Sequence, residues 1–259
     1  MGTRDRQGVG LMGGQQRDGS QRGAARKAFL LAAGLGTRLR PVTDALPKCL
    51  VEVGGRTMLD RWLDSLAAAG VEEVLVNTHH FAELVEAHVA VRATPPVVRV
   101  VNEPELLGSA GTLLANRDFV DDDEMFLVVN ADNLTDFDLR ELIDAHRGSG
   151  ADATLAVFRA ARPSECGVVE VDDGGWVVGF VEKPAEPRSD LANAGMYAFG
   201  PSVLDLVEPS LPRDIGFDLL GRLVGRARAV AIGDSYFTDI GTLSALEQAR
   251  QAWESRATA

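Results

Sequence analysis

From residue 27 onward the chain alternates short apolar runs with amphipathic stretches. "KAFLLAA" is an unbroken apolar run closed by Gly34, the form of a strand buried on both faces of a parallel sheet. "TMLDRWLDSLAAAG" spaces Met58, Leu59, Trp62, Leu63 and Leu66 along one face of a helix, and Gly70 supplies the stop. The alternation continues with a strand in "EEVLVNT", a helix in "FAELVEAHV", a strand in "VVRVV" and a glycine-led helix start at Gly108 to Leu114. A strand in "MFLVVNAD", a helix in "LRELIDAHRG" and a strand in "ATLAVF" follow. This repetition predicts an α/β fold built on a single doubly wound, mostly parallel sheet with right-handed crossovers.

After about residue 160 the rhythm changes. "CGVVEVDDGGWVVGFVEKP" reads as two strands around an Asp-Asp-Gly-Gly turn, a hairpin signal. "AGMYAFG" is a further strand, "PSVLDLVEP" and "FDLLGRLVGR" have helical spacing, "RAVAIGDSYFTDIGT" gives short strands, and "LSALEQARQAW" closes with a helix. The second half thus contributes a small antiparallel addition. No internal repeat or long linker divides the chain, so one domain is expected over 27–253. Residues 1–26 are rich in Gly, Gln and Arg without apolar periodicity, and are expected to be a disordered leader or tag-like tail.

Composition sharpens this picture in three ways. The formal net charge of −12 over 259 residues argues against nucleic acid as a partner, because duplex binding draws on a basic footprint. It leaves room for a small anionic ligand, which needs only a few local cations. Two cysteines, Cys49 and Cys166, cannot build a disulfide framework, and a reducing cytoplasm is the simple expectation. No apolar run approaches a membrane span, so no membrane partner is expected.

The candidate chemistry begins at "AAGLGTRLRP", directly after the first strand, where open α/β sheets bind ligands. A dinucleotide fingerprint would need a third glycine, and the Walker loop's Gly-Lys-Ser/Thr is absent. Taken alone, Gly34-x-Gly36 could be no more than a turn. Asp132 ends an apolar strand and Asp239 lies in "FTDIGT"; each alone could equally cap a strand end or a helix. His79-His80 has no third ligand at metal spacing and reads as a structural loop.

The longer stretch "GLGTRLRPVTDALPKCLVEVGGRTMLD" resembles the signature of the sugar-1-phosphate nucleotidyltransferases, or nucleotide-sugar pyrophosphorylases. The likeness continues in order through "ELLGSAGTLL", "VVNADNL", "GVVEVDDGGWVVGFVEKP", "ANAGMYAF" and "YFTDIGTLSALEQA". It implies a Rossmann-like nucleotidyltransferase fold and transfer of a nucleotide from an NTP to a sugar 1-phosphate. By this resemblance Ala33, Gly34, Gly36, Thr37, Gly108 and Gly111 would bind the nucleotide. Arg38 would grip the leaving pyrophosphate and Lys48 would neutralise phosphates. Asp132 and Asp239 would hold a catalytic Mg²⁺, a hard ion suited to carboxylates, phosphates and water. Glu182, Lys183, Asn193 and Gly195 would bind the sugar phosphate.

The wording "VNTHHFAELVEAHV", "NADNLTDFDL" and "ECGVVEVD" is most similar to short mannose- or heptose-1-phosphate guanylyltransferases, with relatives acting on cyclitol phosphates also similar. GTP is therefore favoured, with a sugar or cyclitol 1-phosphate as acceptor. The alternatives are a uridylyltransferase on a hexose or amino-sugar 1-phosphate, or a cytidylyltransferase on a non-sugar phosphate. A catalytically silent regulatory member would be expected to lack Arg38, Lys48 or the aspartates, and all are present. The family pattern carries Gly before the metal aspartate where this chain has Ala131, and Pro or Ala where it has Cys49. Homo-oligomerisation is left open.

Overall fold

A computed structural model describes residues 25–210 and 212–257. Most of the expected leader, residues 1–24, lies outside the described residues. Ala25 is already buried, and the Arg26 carbonyl accepts from the Glu72 amide at 2.7 Å, so packing begins just ahead of the first strand.

Thirteen strands and five α-helices are found among the described residues. The strands are β1 (Lys27–Leu31), β2 (Glu52–Val53), β3 (Arg56–Thr57), β4 (Glu73–Thr78), β5 (Val97–Asn102), β6 (Phe126–Asn130) and β7 (Asn133–Thr135), followed by β8 (Ala153–Arg159), β9 (Gly167–Val171), β10 (Val177–Glu182), β11 (Leu191–Phe199), β12 (Ala227–Ala231) and β13 (Phe237–Asp239). The helices are α1 (Met58–Ala68), α2 (Ala82–Ala90), α3 (Ser109–Ala115), α4 (Leu139–His146) and α5 (Leu243–Ala257). Every strand and helix expected up to residue 160 is present at its place.

Nine strands form one sheet. Its parallel core runs β5-β4-β1-β6, and β11 continues it antiparallel to β6. β8 and β9 pair with β11, β10 pairs with β9, and β12 lies parallel to β8. The period-2 alternation of β1 sends Ala28 and Leu30 to one face and Phe29 to the other. Leu59, Trp62, Leu63 and Leu66 of α1 and Leu142 and Ile143 of α4 cover the first face. Ala110 and Leu113 of α3 cover the second, with Leu219, Leu220 and Leu223. α1 starts at a Thr57 cap whose hydroxyl accepts from the Asp60 amide at 3.0 Å, worth about 1 kcal/mol.

The segment expected as a helix at 217–226 differs. It forms a π turn over Ile215–Leu219 and a 3₁₀ turn over Leu220–Leu223. The apolar spacing is right, but Gly216, Gly221 and Gly225 weaken helix preference, and residues 213–215 are pinned to the start of α3. "PSVLDLVEP" likewise tightens into a 3₁₀ helix over Pro201–Leu206.

The topology fixes where a ligand can sit. From β1 the chain moves to β4 and β5 on one side, then crosses to β6 on the other. The loops leaving β1 and β6 therefore part at the carboxyl edge of the sheet and leave a crevice between them.

Candidate functional site

That crevice is a cavity of about 410 Å³. Its wall along the loop after β1 is built by bare backbone. Ala33 and Gly34 line it, and nothing lies within 4 Å of where a Gly34 Cβ would stand. Gly36 has φ +62, and a Cβ there would meet Thr43 Cγ2 at 2.9 Å, so only glycine fits this turn. The Thr43 hydroxyl donates to the Gly36 carbonyl at 2.7 Å, and buried Leu39 anchors the next turn. Thr37 and Arg38 are thereby held out in solvent, and Arg38 has no ion pair among the described residues.

At one end of the cavity, charges from three distant places meet. Buried Lys48 places Nζ 2.7 Å from Asp132 Oδ2 and 3.2 Å from Asp239 Oδ1. Asp132 sits in the turn after β6. Asp239 reaches it because β13 pairs with β7, with the Ile240 amide donating to the Asp132 carbonyl at 3.0 Å. Arg38 completes the group. A Cβ at Gly241 would stand 3.0 Å from both Arg38 Nη2 and Lys48 Nζ, and 2.8 Å from Asp239 Oδ1. Gly241, which carries no side chain, leaves room for Arg38, Lys48 and Asp239 to approach one point.

A second group of residues lining the cavity is polar and acidic. Glu182 leaves β10 half-buried, and its carboxyl is raised above the usual carboxylate range by burial, which outweighs the nearby Lys183; Asp214 pushes it further up. Asn193 Nδ2 donates to the buried Tyr197 hydroxyl at 2.6 Å, and both line the cavity. Their approach depends on a register break in β11 between Asn193 and Tyr197. Gly195 creates it: φ is +68, and a Cβ would lie 2.5 Å from Asn130 Nδ2 and 2.8 Å from Asn133 Nδ2. Gly195 thus shapes the wall from behind and does not face the cavity. Lys183, at φ +47, is exposed, with its ammonium 5.9 Å from the Phe217 ring centre.

The rest of the wall was largely silent in the sequence. Asn77, next to the last residue of β4, accepts the Ala32 amide at 2.8 Å, while its Nδ2 donates to Glu103 Oε1 at 2.9 Å and to Thr112 Oγ1 at 3.0 Å. The Thr112 hydroxyl donates to Glu103 Oε1 at 2.5 Å, and the Leu107 amide donates to Oε2 at 3.2 Å. Glu103 is only 3% exposed, so this network locks the start of the phosphate loop to α3. Gly108 opens α3 at φ +77, where a Cβ would collide with the Arg213 carbonyl. That carbonyl accepts from the amides of Ala110 and Gly111, which places Gly111 behind the cavity wall. Asp214 accepts from the Ser109 hydroxyl at 2.9 Å and lines the cavity beside Glu182. A usable signal existed: Asn77 and Glu103 are polar residues closing apolar strands at the carboxyl edge, as Asn130 and Asp132 are.

Cys49 also lines the cavity, but burial pushes its thiol up to about 12, so it offers no thiolate at neutral pH. His79 is structural, with Nδ1 2.7 Å from the Glu103 carbonyl. No group of three or more metal-ligating side chains occurs among the described residues. Two carboxylates do converge: one cation, the Lys48 ammonium, touches both Asp132 and Asp239, so a hard divalent ion completed by phosphates fits that donor set. No helix among the described residues is long and apolar enough to cross a membrane.

A family model described as nucleotidyl transferase matches residues 27–256. Mannose-1-phosphate guanylyltransferase catalytic subunit beta of Drosophila melanogaster is 39% identical over 189 residues, covering 72% of this chain and 51% of the relative. Mannose-1-phosphate guanyltransferase of Candida albicans is 36% identical over 226 residues, covering 83% of this chain and 61% of the relative. The chain thus spans about half to three fifths of the length of these relatives. A solved structure from Bacillus anthracis, assigned provisionally as a glucose-1-phosphate thymidylyltransferase, has the same fold, with TM-score 0.76 at 23% identity over 87% of this chain and 94% of that one.

Proposed function

The chain belongs to the nucleotidyl transferase family, and on that premise we propose that it makes a nucleotide-sugar and pyrophosphate from an NTP and a sugar 1-phosphate. The reading favours GTP with a mannose-, heptose- or cyclitol-type 1-phosphate, and the names of the relatives support the guanylyl preference. The observation that carries it is the meeting of Lys48 with Asp132 and Asp239, with Arg38 close by, where Lys48 and Asp132 line the cavity.

Each group has a task set by its position. An oxygen of the sugar phosphate attacks the α-phosphorus in line and pyrophosphate leaves opposite, so no side-chain nucleophile is required. The amides around Gly34 can face the triphosphate without a side chain in the way. Arg38, unpaired and exposed, is free to fork onto the leaving pyrophosphate. Lys48 is a mobile point charge for the phosphates between donor and acceptor. Asp132 and Asp239 would hold Mg²⁺, which when bound neutralises phosphate charge. Within the same cavity Glu182, Asn193 and Tyr197 offer acceptors and donors to the acceptor's hydroxyls, with Lys183 outside them for its phosphate.

Pyrophosphate release with Mg²⁺, measured over four NTPs and a panel of sugar and cyclitol 1-phosphates, tests the reading. Turnover with GTP and one acceptor class is expected, and Asp132→Asn and Asp239→Asn should each abolish it while the fold persists. No turnover with any pair would overturn the proposal.

A further inference from the structure

Lys48 lines the cavity, but its ammonium is paired and not free for phosphate. Its ammonium lies between Asp132 and Asp239; the lysine side chain is 9% exposed, whereas the two carboxylate side chains are 37% and 49% exposed. The position both carboxylates can share is therefore the position the lysine takes. Space is tight there: the point where a Gly241 Cβ would stand is within 3.0 Å of Arg38, Lys48 and Asp239 together. The charges also balance, with two cations against two carboxylates. Adding a divalent ion alone leaves this partly buried group strongly positive, which Coulomb repulsion at these distances opposes. Adding the ion with a triphosphate reverses that balance and gives the lysine a new anion to follow. A lysine suits this handover, because its flexible four-carbon stem carries a point charge to a new partner without moving the backbone.

We propose that Lys48 is the resident counter-ion of the metal position and yields it to the divalent ion when phosphates draw the ammonium away. Metal and triphosphate then enter together, and the metal alone is held weakly. The proposal rests on the reading that Asp132 and Asp239 hold the metal, and extends it to the order in which the site fills. Lys48 is thus a competitor of the metal as well as a partner of the substrate.

The test is a nucleotide-free titration with Mn²⁺, following the free ion by electron paramagnetic resonance. Wild type should bind weakly, and Lys48→Met should bind at least about tenfold more tightly, as expected from removing one positive charge beside the ion. Lys48→Arg keeps the charge and should stay near wild type. The gain should vanish in Lys48→Met/Asp132→Asn, which ties the ion to this pair. Should the methionine variant fail to fold, Lys48→Gln makes the same comparison. Unchanged Mn²⁺ affinity in the neutral variant, or a gain that survives Asp132→Asn, overturns the proposal. Because no turnover is read, this failure is distinguishable from that of the functional reading, which would appear as an inactive wild type across the NTP panel.

Discussion

Replacing Asn77 by aspartate should damage the fold severely, and Glu103→Gln should repair it. The buried Asn77 amide donates to Glu103 Oε1 at 2.9 Å and accepts the Ala32 amide at 2.8 Å. In Asn77→Asp a carboxylate oxygen faces Glu103 at that distance. At an effective dielectric near 20 the repulsion is about 6 kcal/mol. Taking up a proton at pH 7.5 against an ordinary carboxyl value costs a similar ~5 kcal/mol. Either route removes a large part of a typical domain stability of about 5–15 kcal/mol. The sign with pH follows. One carboxyl of the pair titrates well above its unfolded value, so the native state binds the extra proton, and stability rises as pH falls from 7.5 towards 5.5. In Asn77→Asp/Glu103→Gln the roles reverse. The glutamine Nε2 donates to the new carboxylate, Thr112 donates to it as well, and the Leu107 amide keeps its acceptor. Urea unfolding of the wild type, both single variants and the double variant gives the coupling energy, expected at about 3 kcal/mol or more in favour of the double. A double variant as unstable as the sum of its singles would refute the network as drawn.

Three further outcomes follow from the site. Gly195→Ala should cost roughly 2–4 kcal/mol, combining a left-handed backbone with crowding against Asn130 and Asn133, and thermal unfolding with activity reads both the loss and the displaced Asp132 turn. Arg38→Ala should leave stability within about 0.5 kcal/mol, since the side chain is exposed and unpaired, while kcat falls sharply; full activity with lowered stability would return the loop to a structural role. His146 is buried against the Thr154 hydroxyl at 2.9 Å, and burial holds its imidazole below the ordinary value near 6.5. The unfolded chain binds that proton first, so stability should be intact above about pH 6.5 and decline as pH falls through it, and His146→Gln should flatten this limb of the curve.

The sequence by itself determined the elements and their order up to residue 160, and its spacing pointed to helices in two later segments that are π and 3₁₀ turns. Apolar runs such as "FLVV" can only be strands covered on both faces, and the spacing of Leu59, Trp62, Leu63 and Leu66 can only bury one side of a helix, because these are local consequences of backbone period. It also named Arg38, Lys48, Asp132 and Asp239 through a family resemblance. It could not say that Lys48 touches both aspartates with Arg38 close by, because that arrangement depends on β13 pairing with β7 and on Gly241 having no side chain. Nor could it say that Gly195 and Gly111 act from behind the wall, or that Asn77, Glu103, Thr112 and Asp214 complete it. Those roles are set by through-space hydrogen bonds between residues far apart in the chain, and periodicity carries no information about them. Tertiary structure decided the sites of contact, and with them the position of Lys48 between the two carboxylates.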